Sequence, residues 1–326
     1  MQYEIPIRGR RNRRNASLRA LVRENEITVN DLIMPLFVVE GKGIKDEVKS
    51  MPRIYRFSLD SLIEEVKELW ALGIKSVALF PALDDALKDK VATESTNANG
   101  LFQRAIKAVK KVTPGMLVVC DVAMDPYSSD GHDGYVDGEE IINDKTLPIL
   151  AAMAVSQAEA GADIIAPSDM MDGRVAVIRQ ALDEAGFTDV GIMAYSAKYA
   201  SAYYGPFRDA LDSAPKAGDK KTYQMDPANV REAIREVNMD IDEGADIVMV
   251  KPGLPYLDVI RAISEISEVP VAAYNVSGEY AMLNAAAQNG WLDYERVVNE
   301  SLLSFKRAGA DIILTYHAKE FAQWMK

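Results

Sequence analysis

The chain has 326 residues, with 37 Lys plus Arg against 49 Asp plus Glu and a formal net charge of −12. The length suits two ordinary domains or one large α/β barrel, and the acidic balance argues against nucleic acid as a partner. The single cysteine, Cys120, excludes an intrachain disulfide framework and a multi-cysteine zinc site. No apolar run approaches the ~20 residues that span a bilayer, and no apolar segment follows the N-terminal charges, so we expect a cytoplasmic protein without a membrane partner.

The N-terminal residues 1–30 precede the first predicted strand and contain a cluster of arginines. Five of the seven residues at positions 8–14 are arginine, and Leu18, Leu21 and Val22 form an apolar stripe after them. A solvated arm and a basic nucleic-acid-binding tail are both compatible with the arginines. The apolar stripe favours a third interpretation, in which this arm packs on another subunit.

A repeated phrase marks several strands of the remaining chain. Gly-Ala-Asp followed by an apolar run occurs at residues 161–165, 244–248 and 309–313, each time after a helix-like stretch. Glycine suits the end of a helix, and a continuous apolar run is typical of a parallel strand buried on both faces. Five further runs share this character. The eight predicted strands cover residues 32–38, 76–80, 116–122, 163–166, 190–194, 246–250, 269–273 and 311–315.

Amphipathic helical stretches separate most of these strands. They include residues 59–72, 101–111, 147–159 and 230–242. The eightfold alternation of strand and helix predicts an α/β fold, a (β/α)8 TIM barrel, over residues 31–326. A doubly wound open sheet is the alternative, but that fold favours a glycine-rich turn after an early strand, and the sequence has no Gly-x-Gly-x-x-Gly.

In such a barrel the chemistry lies at the carboxyl ends of the strands, and the third predicted strand leads there into an acidic loop. This loop carries Asp121, Asp125, Asp130, Asp133 and Asp137, at a spacing that does not fit an EF-hand. A solvated acidic loop and a site for a hard cation are both compatible with this composition. We expect the solvated loop.

Two lysines follow adjacent predicted strands. Lys251 closes the sixth strand, where burial would lower the pKa of its amine, although it could instead extend into solvent. Lys198 follows the fifth strand among polar residues. Two ammonium groups at one barrel mouth lower each other's pKa, and a neutral lysine amine is the nucleophile of Schiff-base enzymes. The pair therefore favours covalent carbonyl chemistry.

A long segment, residues 203–227, connects the fifth and sixth predicted strands. A connection of this length in a compact barrel is commonly a lid over the active site. Arg208 and Lys220 within it could bind a substrate carboxylate. The alternative is a solvated surface loop whose charges bind nothing specific.

With these residues placed, the sequence resembles the δ-aminolevulinate dehydratase family, also called the porphobilinogen synthases, over essentially the whole chain. The segments that carry the resemblance are Arg-Arg-Asn-Arg-Arg at 10–14, Asp-Leu-Ile-Met-Pro-Leu-Phe at 31–37, Ala-Pro-Ser-Asp-Met-Met-Asp-Gly-Arg at 166–174, Met-Ala-Tyr-Ser-Ala-Lys-Tyr at 193–199, Tyr-Gly-Pro-Phe-Arg-Asp-Ala at 204–210, Val-Met-Val-Lys-Pro-Gly at 248–253 and Tyr-Asn-Val-Ser-Gly-Glu-Tyr at 274–280.

The resemblance implies an activity and two catalytic residues. The family condenses two molecules of 5-aminolevulinate into porphobilinogen, with loss of two waters, in haem and chlorophyll biosynthesis. By this match Lys251 forms a Schiff base with the substrate that becomes the propionate side of the product. Lys198 does the same with the substrate that becomes the acetate side.

The resemblance also implies a set of polar substrate contacts. Those expected at the carboxylate of the first substrate are Ser277 and Tyr316. Those expected at the carboxylate of the second substrate are Arg208, Lys220 and Gln224. Those expected at the amine end of the pocket are Asp121 and Ser168.

One departure from the family concerns its metal. Zinc-using members place three cysteines after the third strand, where this chain has Ala123, Asp125 and Asp133. Carboxylates suit magnesium or a potassium-like monovalent cation rather than zinc, so the chain resembles the zinc-free, magnesium-responsive branch. Whether Asp125 and Asp133 bind a cation or the amino group of the substrate stays open. In that branch an allosteric magnesium site involves a glutamate that is Glu236 here, and the assembly is a homo-octamer with embracing arms.

Two other functions remain as alternatives. A class I aldolase would need one essential lysine and a glycine-rich phosphate loop after the seventh or eighth strand, for which Ser277-Gly278 is a thin match. An inactive barrel that serves as a scaffold would be expected to have lost at least one of the functional side chains. Those side chains, Lys198, Lys251, Arg208 and Ser277, are all present.

Overall fold

The fold is seen in a computed structural model that describes residues 5–211 and 216–326, without the side chains of residues 208 and 209. Its strands are β1 (Leu32–Val38), β2 (Lys45–Glu47), β3 (Tyr55–Phe57), β4 (Ser76–Pro81), β5 (Leu117–Val122), β6 (Val136–Asp137), β7 (Glu140–Ile141), β8 (Ile164–Pro167), β9 (Gly191–Lys198), β10 (Ile247–Lys251), β11 (Val271–Asn275) and β12 (Ile312–Thr315). Within the described residues, eight of these strands form a parallel barrel in the order β1, β4, β5, β8, β9, β10, β11, β12. The barrel closes because β12 pairs with β1, which confirms the predicted (β/α)8 TIM barrel.

The helices surround the barrel, and in the described ranges none is both long and apolar enough to cross a membrane. Helix α2 shows how they pack, because Leu62, Val66 and Leu69 recur on one face and are buried, and Gly73 ends the helix with a φ of 98°. The helices described are α1 (Ala16–Leu21), α2 (Leu59–Leu72), α3 (Leu101–Val112), α4 (Asn143–Ala160), α5 (Arg174–Glu184), α6 (Gly205–Leu211), α7 (Arg231–Asp242), α8 (Leu257–Ser264), α9 (Ser277–Gln288), α10 (Tyr294–Ala308) and α11 (Ala318–Trp324).

The repeated Gly-Ala-Asp phrase has a structural cause, of which the sequence pattern revealed only the part played by glycine. Its glycines follow α4, α7 and α10 with φ values of 105°, 105° and 112°, which favour glycine. Its aspartates then accept a hydrogen bond from a backbone N–H of the preceding barrel strand. These bonds join Val118 N to Asp163 (2.8 Å), Ile192 N to Asp246 (2.8 Å) and Val271 N to Asp311 (2.9 Å).

Strand β9 extends beyond its predicted end at residue 194. It continues to Lys198, and residues 192–198 are all buried. The polar residues Tyr195, Ser196 and Lys198 conceal this extension in the sequence, because a buried strand is expected to be apolar. The consequence is that Lys198 belongs to the barrel wall rather than to the following loop.

The N-terminal arm contains a short 3-10 helix, Gly9–Arg13, followed by α1. Asn15 caps α1 by accepting a hydrogen bond from Leu18 N at 2.9 Å. Two residues of the predicted apolar stripe remain in solvent, with Leu21 80% and Val22 46% exposed. The packing of this arm on another subunit stays a prediction.

A buried ion pair between Arg174 and Asp240 joins α5 to α7. The guanidinium donates two hydrogen bonds to the carboxylate, at 2.6 and 2.9 Å, and the side chains are 3% and 1% exposed. Asp240→Asn should lower the free energy of unfolding by about 3–5 kcal/mol, because it removes the hydrogen-bonded counter-charge of a buried guanidinium. Urea denaturation followed by circular dichroism measures this change.

The matched control for this prediction is the pair between Arg179 and Asp183, whose carboxylate is 48% exposed. Asp183→Asn should change the free energy of unfolding by less than about 1 kcal/mol. Equal effects of the two substitutions would contradict the assignment of a structural role to the buried pair.

Candidate active site

Lys198 and Lys251 lie side by side at the carboxyl ends of adjacent strands. In the pairing of β9 with β10 the two residues are direct partners. Each is only 6% exposed. As predicted, the two lysines face one barrel mouth, and Lys251 does not extend into solvent.

Aromatic rings surround the amine of Lys251. Its Nζ lies 4.7 Å from the ring centroid of Tyr274, 4.9 Å from that of Tyr195, 5.2 Å from that of Phe207 and 5.3 Å from that of Tyr204. In the described part of the chain, no carboxylate lies within ion-pair distance of this nitrogen. Burial and the positive charge of Lys198 lower the pKa of Lys251 to about 7, against the opposing effect of Asp121 and other carboxylates. A substantial fraction of this amine is therefore neutral near pH 7.

Lys198 has the opposite environment, because it contacts a carboxylate. Its Nζ donates a hydrogen bond to Asp133 Oδ2 at 2.9 Å and a second one to the carbonyl oxygen of Ser168. Lys220 donates to the other oxygen of Asp133, and it also contacts Asp125 Oδ2 at 3.3 Å. Asp133 thus accepts hydrogen bonds from two buried ammonium groups.

The charges of this cluster shift several pKa values. Burial alone would raise the pKa of Asp133, but Lys198 and Lys220 outweigh it and hold that pKa below its usual range. Burial would lower the pKa of Lys220, but Asp125 and Asp133 outweigh it and raise that pKa. At neutral pH the cluster therefore contains an ionised Asp133 and a protonated Lys220.

The expectation of a solvated acidic loop is wrong for Asp125 and Asp133. Both are buried, at 9% and 0% exposure, because they face the lysines inside the barrel mouth. The apolar residues Met124 and Tyr127 anchor the loop in the core. Only its distal part fits the expectation, since Asp137 is exposed.

Asp121 and Ser168 lie on the same side of the mouth. Asp121 is in β5 and keeps some solvent contact, whereas Ser168 is buried directly after β8. Burial and the negative charge of Asp125 raise the pKa of Asp121 to about 7, although a hydrogen bond with Ser168 favours its ionised form. Asp121 can therefore accept or release a proton near neutral pH.

Ser277 and Tyr316 lie on the other side, next to the rings that surround Lys251. The hydroxyl of Tyr316 is 3.1 Å from that of Tyr274. Ser277 Oγ accepts a hydrogen bond from Phe207 N at 3.0 Å, which attaches α6 to the start of α9. Both predicted residues thus lie one contact away from the Lys251 environment.

The predicted lid closes part of the mouth. Lys220 and Gln224 are buried, at 8% and 5% exposure, and Gln224 N donates a hydrogen bond to Lys220 O at 2.8 Å. The lid is therefore not a solvated surface loop at these residues. The predicted role of Arg208 concerns a side chain outside the described residues.

Glu236 lies away from the lysines, in a separate acidic cleft of about 470 Å³. Burial raises its pKa, and the nearby carboxylates of Asp240, Asp172 and Glu232 act in the same direction, although Arg174 opposes them. Among the described residues, no group of three or more His, Cys, Asp or Glu side chains converges to hold a metal ion.

Sequence reasoning gave no role to the four rings around Lys251 or to His132. Tyr195 lies within β9 and Tyr274 is the penultimate residue of β11, and a tyrosine near the carboxyl end of a buried barrel strand is a signal that could have identified them. Phe207 and Tyr204 come from the lid, so only the folded chain brings them to Lys251. His132 is one of two histidines in the chain, and its sequence surroundings gave it no particular role.

The fold and the site together define a class of protein, a TIM-barrel enzyme with two neighbouring lysine amines suited to carbonyl substrates. A family model described as "Delta-aminolevulinic acid dehydratase" matches residues 6–324. The chain belongs to the δ-aminolevulinic acid dehydratase family. This membership confirms the family resemblance found in the sequence.

Individual relatives agree with this membership. The chain is 57% identical over 322 residues to the δ-aminolevulinic acid dehydratase of Synechococcus elongatus, covering 98% of both chains. It is 54% identical over 332 residues to the chloroplastic enzyme of Chlamydomonas reinhardtii, covering 99% of this chain and 85% of that one. A crystal structure of the Toxoplasma gondii enzyme with the reaction product porphobilinogen has a TM-score of 0.97 and 54% identity, covering 98% of this chain and 92% of that one.

The protein is therefore a dehydratase, an enzyme of the lyase class. Its reaction is that of a porphobilinogen synthase, the condensation of two molecules of 5-aminolevulinate to porphobilinogen with loss of two waters. The predicted activity is confirmed.

The reactivity of Lys251 should depend on pH with a midpoint near 7, far below the ordinary value of 10.5. An amine is nucleophilic only when it is unprotonated, so acylation of Lys251 should rise as the pH increases through about 7 and then level off. Trace acetylation over a range of pH, followed by mass spectrometry of the Lys251 peptide, measures this midpoint.

Two substitutions test the electrostatic cause of this shift. Lys198→Met removes a positive charge and should move the midpoint of Lys251 to higher pH. Asp121→Asn removes a negative charge and should move it to lower pH. Shifts in the reverse directions would show that the charges do not control the amine in this way.

Proposed function

We propose that Lys251 and Lys198 each form an imine with one of the two 5-aminolevulinate molecules. The observation that carries this proposal is the direct pairing of the two buried lysines at the ends of β9 and β10. Each imine forms when a neutral lysine amine adds to a ketone carbon and one water leaves. The two imines therefore account for the two waters lost in the reaction.

The two imines allow both new bonds to form. An imine makes its carbon a better electrophile and acidifies the neighbouring C–H, so one substrate can attack the other to form the C–C bond. The lysine amine then leaves that carbon together with a proton from the neighbouring carbon, which forms a C=C bond and releases one enzyme side chain. The C–N bond forms when the amino group of one substrate displaces the other lysine from its imine, which frees the second side chain. Transfer of a proton from the ring CH2 to the ring nitrogen then gives the aromatic product.

Lys251 is the first nucleophile in this proposal, since its lowered pKa leaves part of its amine neutral near pH 7. Lys198 donates a hydrogen bond to Asp133, and addition of its amine to a ketone releases a proton as the nitrogen becomes bonded to carbon. Asp121, with a pKa of about 7, is the group that we assign to accept such a proton.

The remaining predicted residues bind the substrates. We assign Ser277 and Tyr316 to the carboxylate of the first substrate, because both adjoin the rings around Lys251. The residues assigned to the carboxylate of the second substrate are Arg208, Lys220 and Gln224. The residues assigned to the amino group of the same substrate are Asp121, Asp125, Asp133 and Ser168. Lys220 must then exchange its contacts with Asp125 and Asp133 for the substrate carboxylate.

We also propose that Glu236 binds an allosteric Mg²⁺ in the acidic cleft. The residues fit a hard cation, because Glu236 shares the cleft with Glu139, Glu140, Asp172 and Glu232. Mg²⁺ is commonly held by one or two carboxylates and several waters, so a cluster of three protein ligands is not required. The ion would offset part of the negative charge of the cleft. We assign no catalytic step and no zinc to this site. The use of a monovalent cation by the enzyme stays a prediction.

The proposed assembly is a homo-octamer in which residues 1–30 pack on neighbouring subunits. The exposed side chains of Leu21 and Val22 support a partner surface for this arm. Their cationic neighbours, among them Arg10 and Arg13, complement an acidic chain of net charge −12.

The cytoplasmic location stays a prediction, since the relatives include a chloroplastic enzyme.

Borohydride reduction in the presence of 5-aminolevulinate should trap adducts on both the Lys251 and the Lys198 peptides, because reduction converts an imine into a stable amine. Peptide mass mapping identifies the modified residues. Lys251→Met should abolish activity, and Lys198→Met should keep only the Lys251 adduct. Lys221→Met is the control, since Lys221 is 75% exposed on the same lid and should leave both adducts unchanged. An adduct on one lysine alone in the unmodified enzyme would contradict the two-imine mechanism.

Glu236→Gln should remove the response of the protein to magnesium. Magnesium added after chelation should raise the activity and the assembly size of the unmodified protein, with binding measured by calorimetry and size by sedimentation. Asp242→Asn is the control, because Asp242 is an exposed carboxylate on the same helix. Magnesium binding that survives Glu236→Gln would rule out this residue as the ligand.

A further inference from the structure

His132 joins the acidic loop after β5 to the lid. Its Nε2 lies 2.9 Å from the carbonyl oxygen of Ala217, and its Nδ1 lies 3.0 Å from the hydroxyl of Tyr223. The imidazole is only 7% exposed. A backbone bond from Lys216 N to Asp130 O, at 3.1 Å, runs beside it. The loop and the lid are therefore connected through a buried side chain.

The hydrogen bonds of His132 define its tautomer. The carbonyl oxygen of Ala217 can only accept, so Nε2 must carry the hydrogen. In the neutral ring Nδ1 then accepts a hydrogen bond from the Tyr223 hydroxyl. The same hydroxyl oxygen accepts a hydrogen bond from Asp133 N at 3.4 Å. Each of these donors is matched with an acceptor when His132 is neutral.

This connection ends at the residue that organises the second lysine. Asp133 follows His132 in the chain, and its carboxylate accepts hydrogen bonds from Lys198 and Lys220. The lid therefore contacts Asp133 twice, through Lys220 at its side chain and through Tyr223 at its backbone N–H. The bond from the backbone N–H of Asp133 to Tyr223 and the contacts of its two side-chain oxygens with the lysines together restrict the position of its carboxylate.

The aromatic contacts of Lys251 lie outside this connection. The four rings around its amine come from β9, from residues 204 and 207 of the lid, and from β11. None of these rings belongs to the acidic loop, and none contacts His132 in the described part of the chain. Loosening His132 should thus affect the two lysines unequally.

We propose that His132 and Tyr223 are positioning residues for the second substrate, the one that reacts with Lys198. They hold the acidic loop against the lid, and so place Asp133 between Lys198 and Lys220. This inference rests on the proposed function of the two lysines. It adds two residues that act through Asp133 rather than through contact with the substrate.

The test compares imine trapping at the two lysines in variants of the full chain. Tyr223→Phe removes one oxygen and keeps the ring, and His132→Ala removes both contacts of the imidazole. Each should raise the KM for 5-aminolevulinate by about three- to tenfold, as expected for the loss of one or two hydrogen bonds. Each should also lower the ratio of the Lys198 adduct to the Lys251 adduct by a similar factor.

Two further variants separate positioning from a general effect on folding. His132→Gln can keep a donor toward Ala217 O, and it should recover part of the adduct ratio lost in His132→Ala. Lys221→Gln changes an exposed side chain on the same lid, and it should leave the ratio unchanged. The double variant His132→Ala, Tyr223→Phe should change the ratio by less than the product of the two single changes, because both substitutions remove the bond between His132 and Tyr223, while the bond from Asp133 N is lost only in Tyr223→Phe.

Three results would overturn the inference. One is an unchanged adduct ratio in both Tyr223→Phe and His132→Ala. Another is an equal loss of both adducts together with a lower melting temperature, which would indicate a merely structural role. The third is the absence of any adduct in the unmodified protein, which would overturn the proposed function and this inference with it.

Discussion

The carboxyl end of the barrel depends on one buried carboxylate, that of Asp133. Two lysine side chains, Lys198 and Lys220, direct their ammonium groups to its two oxygens. Ammonium groups are strongly disfavoured in a buried site unless an anion compensates for the lost hydration. The acidic loop must therefore fold into the mouth, and the lid must close over it, for this arrangement to exist.

The same strand pair provides two lysines with different properties. Lys198 contacts a carboxylate, whereas Lys251 faces four aromatic rings and has a pKa lowered to about 7. Different surroundings for chemically identical groups are a common way to assign them different roles in one reaction. In a reaction between two copies of one substrate, we propose that this asymmetry gives each copy a separate site.

The barrel makes this asymmetry possible because adjacent parallel strands end at the same edge. The pairing of β9 with β10 sets Lys198 opposite Lys251. The loops that follow other strands then supply the contacts that distinguish the two amines, from the acidic loop on one side and from the lid on the other. The lid contributes to both environments, through Lys220 near Lys198 and Phe207 near Lys251.

The sequence by itself determined the barrel, the family and the two lysines. Continuous apolar runs and the Gly-Ala-Asp phrase identify buried parallel strands, because a strand that is covered on both faces consists mostly of apolar residues. Lysines at the ends of two neighbouring runs, such as Lys251 after residues 246–250, then share a barrel mouth in any closed barrel. These conclusions need only local patterns and the order of strands.

Only the tertiary structure decided which charges are buried and which partners they have. The sequence gives Asp125, Asp133 and Asp137 the same acidic context, yet the fold buries the first two beside Lys220 and leaves the third in solvent. The extension of β9 to Lys198 was hidden for a related reason, since polar residues are tolerated in a strand only when distant segments satisfy them. Such partners lie far apart in the chain, and so local composition cannot specify them.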